Sequence, residues 1–404
     1  MKTSCARKLS RRCFSKKTVG AISLLVSPVT ITSVGETADS ANLEEYPNEN
    51  QSSFNNGDVP AMIFGAQGNA DSGYAASWFE GQKLNVHSTA IHFRGHGGAV
   101  DPSDKNRVIL FARRPGLEAL LLDLKKKTVI PAFSSEKGFH LFGHGCFSKD
   151  GKHLFTTESE YEKGDGKIVV RDTRTFRVVN RYDSYGIGPH EIKRLPGTNI
   201  LVVANGGLLT HPASGKERLN LSSMASNLSY IDGSTGELIE SQYLPYNKAS
   251  IRHIDVAQDG LVSFGLQVQR DAMKSDSRDD LVPLAGSHVL GSKPVLFEKP
   301  DALIMKMDDY VGSVSLNNNS RTAGFTSPRG NIVSFWDCDT GKYRGYHKLF
   351  DVCGLTQSAN GKYFVASNSK GEIRFIDART LKENRSLRVK DESLVWDNHI
   401  LSLT

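Results

Sequence analysis

From residue 60 onward the apolar positions fall in short runs separated by polar turns. Five strongly apolar runs are His153 to Thr157, Ile200 to Ala204, Leu261 to Leu266, Thr322 to Thr326 and Tyr363 to Ser367. Each follows a turn, such as Ser148-Lys149-Asp150-Gly151, Gln258-Asp259-Gly260 or Ala359-Asn360-Gly361. Asp-Gly and Asn-Gly supply the positive φ angles that tight hairpins need. A further run follows in four of these segments: Lys167 to Arg171, Leu228 to Ile231, Ile332 to Trp336 and Glu372 to Ile376. It ends in a recurrent Asp turn at Asp172-Thr173-Arg174-Thr175, Asp232-Gly233-Ser234-Thr235, Asp337-Cys338-Asp339-Thr340 and Asp377-Ala378-Arg379-Thr380. A last strand then leads to the next segment. Four short strands per segment, with no helical period between them, predict the blade of a β-propeller.

The starts of the segments also recur. They read Gly95-His96-Gly97, Gly143-His144-Gly145, Gly188-Pro189-His190, Ile251-Arg252-His253, Val311-Gly312-Ser313, Val352-Cys353-Gly354 and Asp397-Asn398-His399. The expected fold is all-β: a single seven-bladed propeller over 60–404. Residues Ala61 to Ser88 supply about three strands before the first full segment, and Asp397 to Leu403 supply one innermost strand after the last. Together they make the closing blade, which removes open sheet edges. No amphipathic helix is expected. Two insertions, Gly206 to Ser226 and Asp271 to Ser292, interrupt the pattern between second and third strands.

Charge changes the picture little. The net charge is +6, but Met1 to Ala41 contribute +5, so the body carries +1. A near-neutral body argues against nucleic-acid binding, which needs a concentrated basic face. Cys146, Cys338 and Cys353 form no disulfide framework or zinc spacing, and three free thiols are expected.

The first 41 residues have the layout of an export leader: a basic stretch, an apolar stretch from Val19 to Val34, then small residues. The apolar stretch holds Pro28 and is too weak for a stable membrane span. Ser10-Arg11-Arg12-Cys13-Phe14-Ser15-Lys16 resembles the twin-arginine consensus, departing from it only at Ser15. That resemblance implies export in the folded state to the periplasm, with cleavage near Ala38 to Ala41 and a flexible linker over 42–59.

Propeller geometry turns the repeat into a site. Segment starts and the loops after second strands open on one face, around the central channel. The starts place His96, His144, His190, Arg252, His253 and Cys353 there. The loops place Arg113, Arg114, Glu158, Asn205, Gln267 and Arg329 there, and the insertions bring His211 and His288. Three readings of the four histidines stand together. One is ligation of a metal, iron or copper, by His96, His144, His190 and His253. Against it, equivalent blade positions are expected more than about 8 Å apart. A second is polar contact, with the arginines, to a carboxylate, an iron chelate or haem propionates. The third is a repeated structural contact at a repeated turn. No G-x-S-x-G, H-E-x-x-H or C-x-x-C-H pattern is present. In His190-Glu191, adjacent strand residues point to opposite sides, which makes Glu191 structural.

Phe142-Gly143-His144-Gly145, Gly186-Ile187-Gly188-Pro189-His190-Glu191, Val203-Ala204-Asn205-Gly206-Gly207, Ser250-Ile251-Arg252-His253 and Thr326-Ser327-Pro328-Arg329-Gly330 resemble the bacterial domain-of-unknown-function family numbered 1513. The resemblance covers nearly all the mature chain. It implies a periplasmic propeller of the quinoprotein-like and YVTN-repeat kind, associated with imelysin-like proteins and di-haem oxidoreductases in iron handling. It implies no established activity. The expectation is therefore a binding or accessory propeller with a His/Arg-lined mouth; the rivals are a metal-dependent oxidoreductase or hydrolase using the same histidines, and a protein-interaction scaffold.

Overall fold

The computed structural model describes residues 45, 62–80, 85–215, 217–273 and 280–403. The leader and nearly all of the linker lie outside the described residues. From Met62 the chain forms seven four-stranded antiparallel sheets. Each innermost strand packs against the innermost strand of the next sheet, and the last packs against the first. The sheets are therefore blades of a closed ring, as the repeat predicts.

The innermost strands are Gly95–Asp101, Phe139–Phe147, Pro189–Arg194, Ala249–Val256, Ser313–Asn317, Val352–Gln357 and Trp396–Leu403. The last pairs antiparallel with Met62–Asn69, followed outward by Gly73–Glu80 and Asn85–Ile91. One blade thus joins both ends of the propeller, in the expected arrangement. Arg94 ties this closure to the neighbouring blade, gripping the Asp397 carboxylate with two hydrogen bonds of 2.5 and 2.9 Å.

The strand limits follow from local chemistry. Asp172 Oδ1 accepts from the backbone N–H of Arg174 and Thr175 at 3.2 and 2.9 Å. Asp232, Asp337 and Asp377 make the same pair of bonds. Each carboxylate therefore closes a turn and ends the third strand of its blade. The alternating apolar residues then fill the spaces between blades. Between the closing blade and the next, Phe64, Trp78, Leu110 and Leu122 are buried together. Each such side chain contributes about 1.5–3 kcal/mol of burial.

Two expectations need correction. A helix, Asp301–Met307, does exist before the fifth innermost strand, burying Leu303, Ile304 and Met307. Seven residues are too few for a 3.6-residue period to stand out in a sequence. The second expected insertion also contains a strand: Ala285–His288 is the third strand of its blade. The first insertion lies where expected, between Ile200–Asn205 and Asn227–Asp232. Cys146, Cys338 and Cys353 are unpaired, as expected.

Candidate metal centre in the axial channel

Six of the seven innermost strands are irregular, Ser313–Asn317 being the exception. Register shifts fall between Pro189 and Glu191, between Ile251 and His253, and between Val352 and Gly354. Wider irregularities span Gly95 to Gly98 and Leu141 to Gly145. In the closing blade, Gly65 pairs with Ile400 and Gln67 with Trp396, leaving Asp397 to His399 out of the ladder. An extra residue on one strand breaks the strict alternation of side chains. Consecutive residues of one strand then both face the channel.

These irregularities gather five imidazoles. Among the rings of His96, His144, His190, His253 and His399, nine of the ten pairs have centroids 4.6–6.4 Å apart. All five are buried. The expected spacing of more than 8 Å between blade positions therefore does not hold, because bulged strands send the rings to the axis. The sequence assigns His399 to the closing strand alone. Its place in the series of segment starts, Asp397-Asn398-His399, was the signal that could have placed it here.

Two trios stand out: His96, His144 and His190, and His144, His253 and His399. Within each, one ring nitrogen per residue lies within 4.8 Å of the others. A tetrahedral ion with ligands at about 2.1 Å needs nitrogens roughly 3.4 Å apart.

The second trio is the better prepared. Glu191 Oε2 accepts from His253 Nδ1 at 3.2 Å, and Glu191 Oε1 lies 3.7 Å from His144 Nδ1. Ser313 Oγ lies 3.3 Å from His399 Nδ1. A carboxylate only accepts, so it assigns the proton of His253 to Nδ1 and leaves Nε2 with a lone pair. His144 Nδ1 lies on the same side of its ring, facing that carboxylate without a hydrogen bond to it. The Nε2 atoms of His144 and His399 are buried without a hydrogen-bond partner, as is Nδ1 of His96. Buried polar atoms in folded proteins are seldom left so.

Glu191 is therefore not an outward structural residue. Burial pushes its carboxyl up, but Lys193, with its ammonium at 3.3 Å, and then His144 and His253 outweigh burial and hold it well below the usual carboxylate range. Burial also drives every imidazole of the cluster down, His144 to about 4. All five are neutral near pH 7, the state in which imidazole ligates metals.

A small chamber flanks the rings on each side. One, about 70 Å³, is lined by His144, Glu191, Lys193, Asp255 and His399. The other, about 100 Å³, is lined by Arg113, Arg114, Arg252, His96, His190 and Tyr310, among others. The order of residues along each innermost strand puts them at opposite ends of the cluster: His190 faces the arginines, Glu191 and Lys193 the other side.

The remaining expected site residues divide. Gln267 lines the arginine chamber. Arg329 is exposed at its rim and stacks on Tyr310, 4.6 Å from the ring centre. Glu158 lines neither chamber; Arg171 at 2.8 Å and Thr156 at 2.9 Å occupy its carboxylate. Asn205 is wholly buried and donates to Ser184 O, in the link from the preceding blade, and to Ser229 Oγ of its own blade. Cys353 donates to Asp351 O. His211 lies beside Tyr161 and Glu162. His288 is buried against Tyr230 Oη at 2.6 Å.

Fold and site together define a seven-bladed propeller with an imidazole-filled axial channel. Residues 89–403 match the family described as protein of unknown function DUF1513, and the chain belongs to that family. Among solved structures it is similar to hydrazine synthase of Kuenenia stuttgartiensis, with a TM-score of 0.59 and 14% identity over 75% of this chain and 89% of that one. At that identity the likeness speaks for the fold alone. No curated protein matches the chain.

Proposed function

We propose that this propeller is a binding protein whose axial cluster holds one transition-metal ion, iron or copper. The observation that carries the reading is the set of buried, unpartnered ring nitrogens beside a carboxylate that hydrogen-bonds His253 and lies close to His144. Metal-ligating histidines commonly have their second nitrogen fixed in this way. Neutral imidazole suits iron, copper and zinc, whereas calcium and magnesium need oxygen ligands. The chambers are far below the roughly 300 Å³ of the smallest usual organic-ligand pockets. Haem or a multidentate iron chelate does not fit within the channel, so a bare ion is favoured over a chelate.

The reading extends to location and partners. Export by the twin-arginine route accords with Ser10-Arg11-Arg12, since a site built from both ends of a ring needs a folded chain. A role in periplasmic iron handling beside imelysin-like and di-haem oxidoreductase-like proteins follows from the family resemblance. The arginine chamber beside the rings favours a second reading, turnover of a small anion at the metal.

The test is metal content. Folded protein, stripped by a chelator, is dialysed separately against Zn(II), Cu(II) and, without oxygen, Fe(II). One tightly held ion per chain is expected, lost in His144→Ala and in His399→Ala. Absence of stoichiometric metal, or retention of it in both variants, contradicts the proposal.

A further inference from the structure

The arginine chamber has a charge problem that the metal alone makes worse. Arg113, Arg114 and Arg252 all line it, and no carboxylate does among the described residues. Arg252 is 7% exposed, and its Nε has no hydrogen-bond partner. Arg114 Nη1 is likewise buried and unpartnered, and its guanidinium lies 5.7 Å from the Phe142 ring centre. Burial, then repulsion by a neighbouring arginine (Arg113 on Arg114, Arg114 on Arg252), lowers the pKa of both, yet guanidinium stays charged near pH 7. Buried charges are normally paired. Within the cluster, Arg252 Nη1 makes one polar contact, with His190 Nδ1 at 3.3 Å. The guanidinium can only donate, so this contact uses the lone pair that His190 would offer a metal.

We propose that the chamber binds a small oxyanion of the carbonate or carboxylate class, held by Arg114 and Arg252, which acts as the metal's partner ligand. The inference rests on the metal reading above for its second half; the anion site stands on the arginines. Guanidinium groups match planar oxyanions with paired hydrogen bonds. A volume of about 100 Å³ admits an ion of this size and little more. Two consequences couple the anion to the metal. The anion neutralises positive charge that otherwise repels a cation a few ångströms away. It also draws Arg252 away from His190 and releases that ring's Nδ1 toward the cluster. Coupling of this kind is reciprocal: whatever the anion adds to metal affinity, the metal adds to anion affinity.

The experiment uses the folded chain in carbonate-free buffer near pH 8, with chloride matching ionic strength. Co(II) is titrated with and without bicarbonate, its visible absorption bands reporting both affinity and ligands. The melting temperature of the metal-free protein is recorded under the same two conditions. Bicarbonate is expected to tighten Co(II) about tenfold or more, to shift the absorption bands, and to raise the melting temperature of the metal-free protein. Arg252→Met should abolish all three effects; Arg114→Gln replaces it if circular dichroism shows that Arg252→Met does not fold. If Co(II) binds but bicarbonate changes neither affinity nor melting, the anion inference falls and the metal reading stands. If Co(II) never binds, the metal reading falls; a bicarbonate-dependent rise in melting that Arg252→Met removes then supports the anion site, and no rise overturns it.

Discussion

At the scale of single residues, Glu191 decides more than any one histidine. It sets the proton of His253 on Nδ1 and approaches His144, while Lys193 keeps it ionised. Glu191→Gln preserves its shape and removes its charge. Metal affinity should fall about 10–100-fold, measured by competition with a chromogenic chelator, while the unligated protein melts within a few degrees of the parent. An unchanged affinity would show that Glu191 does not orient the rings. Acid should also expose the buried imidazoles. His140, outside the cluster, is pushed down to about 4 by burial, against an ordinary value of 6.5. Between those values the unfolded chain binds the proton and the folded chain does not. Stability is therefore full above pH 6.5 and drains away as pH falls toward 4. At pH 5 His140 accounts for about 2 kcal/mol of that loss. Urea unfolding of His140→Phe at pH 7.5 and 5 should show the acid loss reduced by about that amount; an equal loss in both proteins would contradict it.

At the scale of elements, most strands were legible, Ala285–His288 excepted, and their irregularities were not. Asp172, Asp232, Asp337 and Asp377 announce the ends of third strands because a carboxylate closing its own turn needs only local sequence. The apolar runs between turns announce the rest. A bulge has no such signature, since it depends on the partner strand. Strict alternation therefore put His190 and Glu191 on opposite sides, when both face the channel. Glycines beside the histidines are the trace that a bulge leaves. A Cβ on Gly97 would lie 2.7 Å from both Gly143 O and His144 Nδ1. Gly143 has φ +97°, and a Cβ there would lie 2.7 Å from His96 Cδ2. Gly97→Ala should accordingly displace the His144 ring and weaken metal binding by at least tenfold, read by the same chelator competition. Parental affinity in this variant would mean that the ring position tolerates what the packing forbids.

At the scale of the whole molecule, the ring and the site are one construction. The closing strand Trp396–Leu403 completes the sheet of Met62–Asn69 and carries His399 into the cluster. Closure by both chain ends was readable, because the last segment start has no blade after it. That the same strand supplies a ligand candidate was not, because only the closed ring shows how near the axis its first residues lie. Removing Asp397 to Thr404 deletes the buried Ile400 and Leu403, the Arg94–Asp397 pair and His399 together. At roughly 2–5 kcal/mol for each large buried aliphatic side chain, the melting temperature should drop by about 10 °C or more. Scanning calorimetry that found the truncated and intact chains melting alike would refute this closure. The central claim, that the propeller axis is a metal site, is met most directly by anomalous diffraction. Crystals grown with one equivalent of Zn(II), measured across the zinc edge, should show a single strong peak about 2.1 Å from the Nε2 atoms of His144, His253 and His399. An empty channel, with zinc only on surface carboxylates, would contradict it.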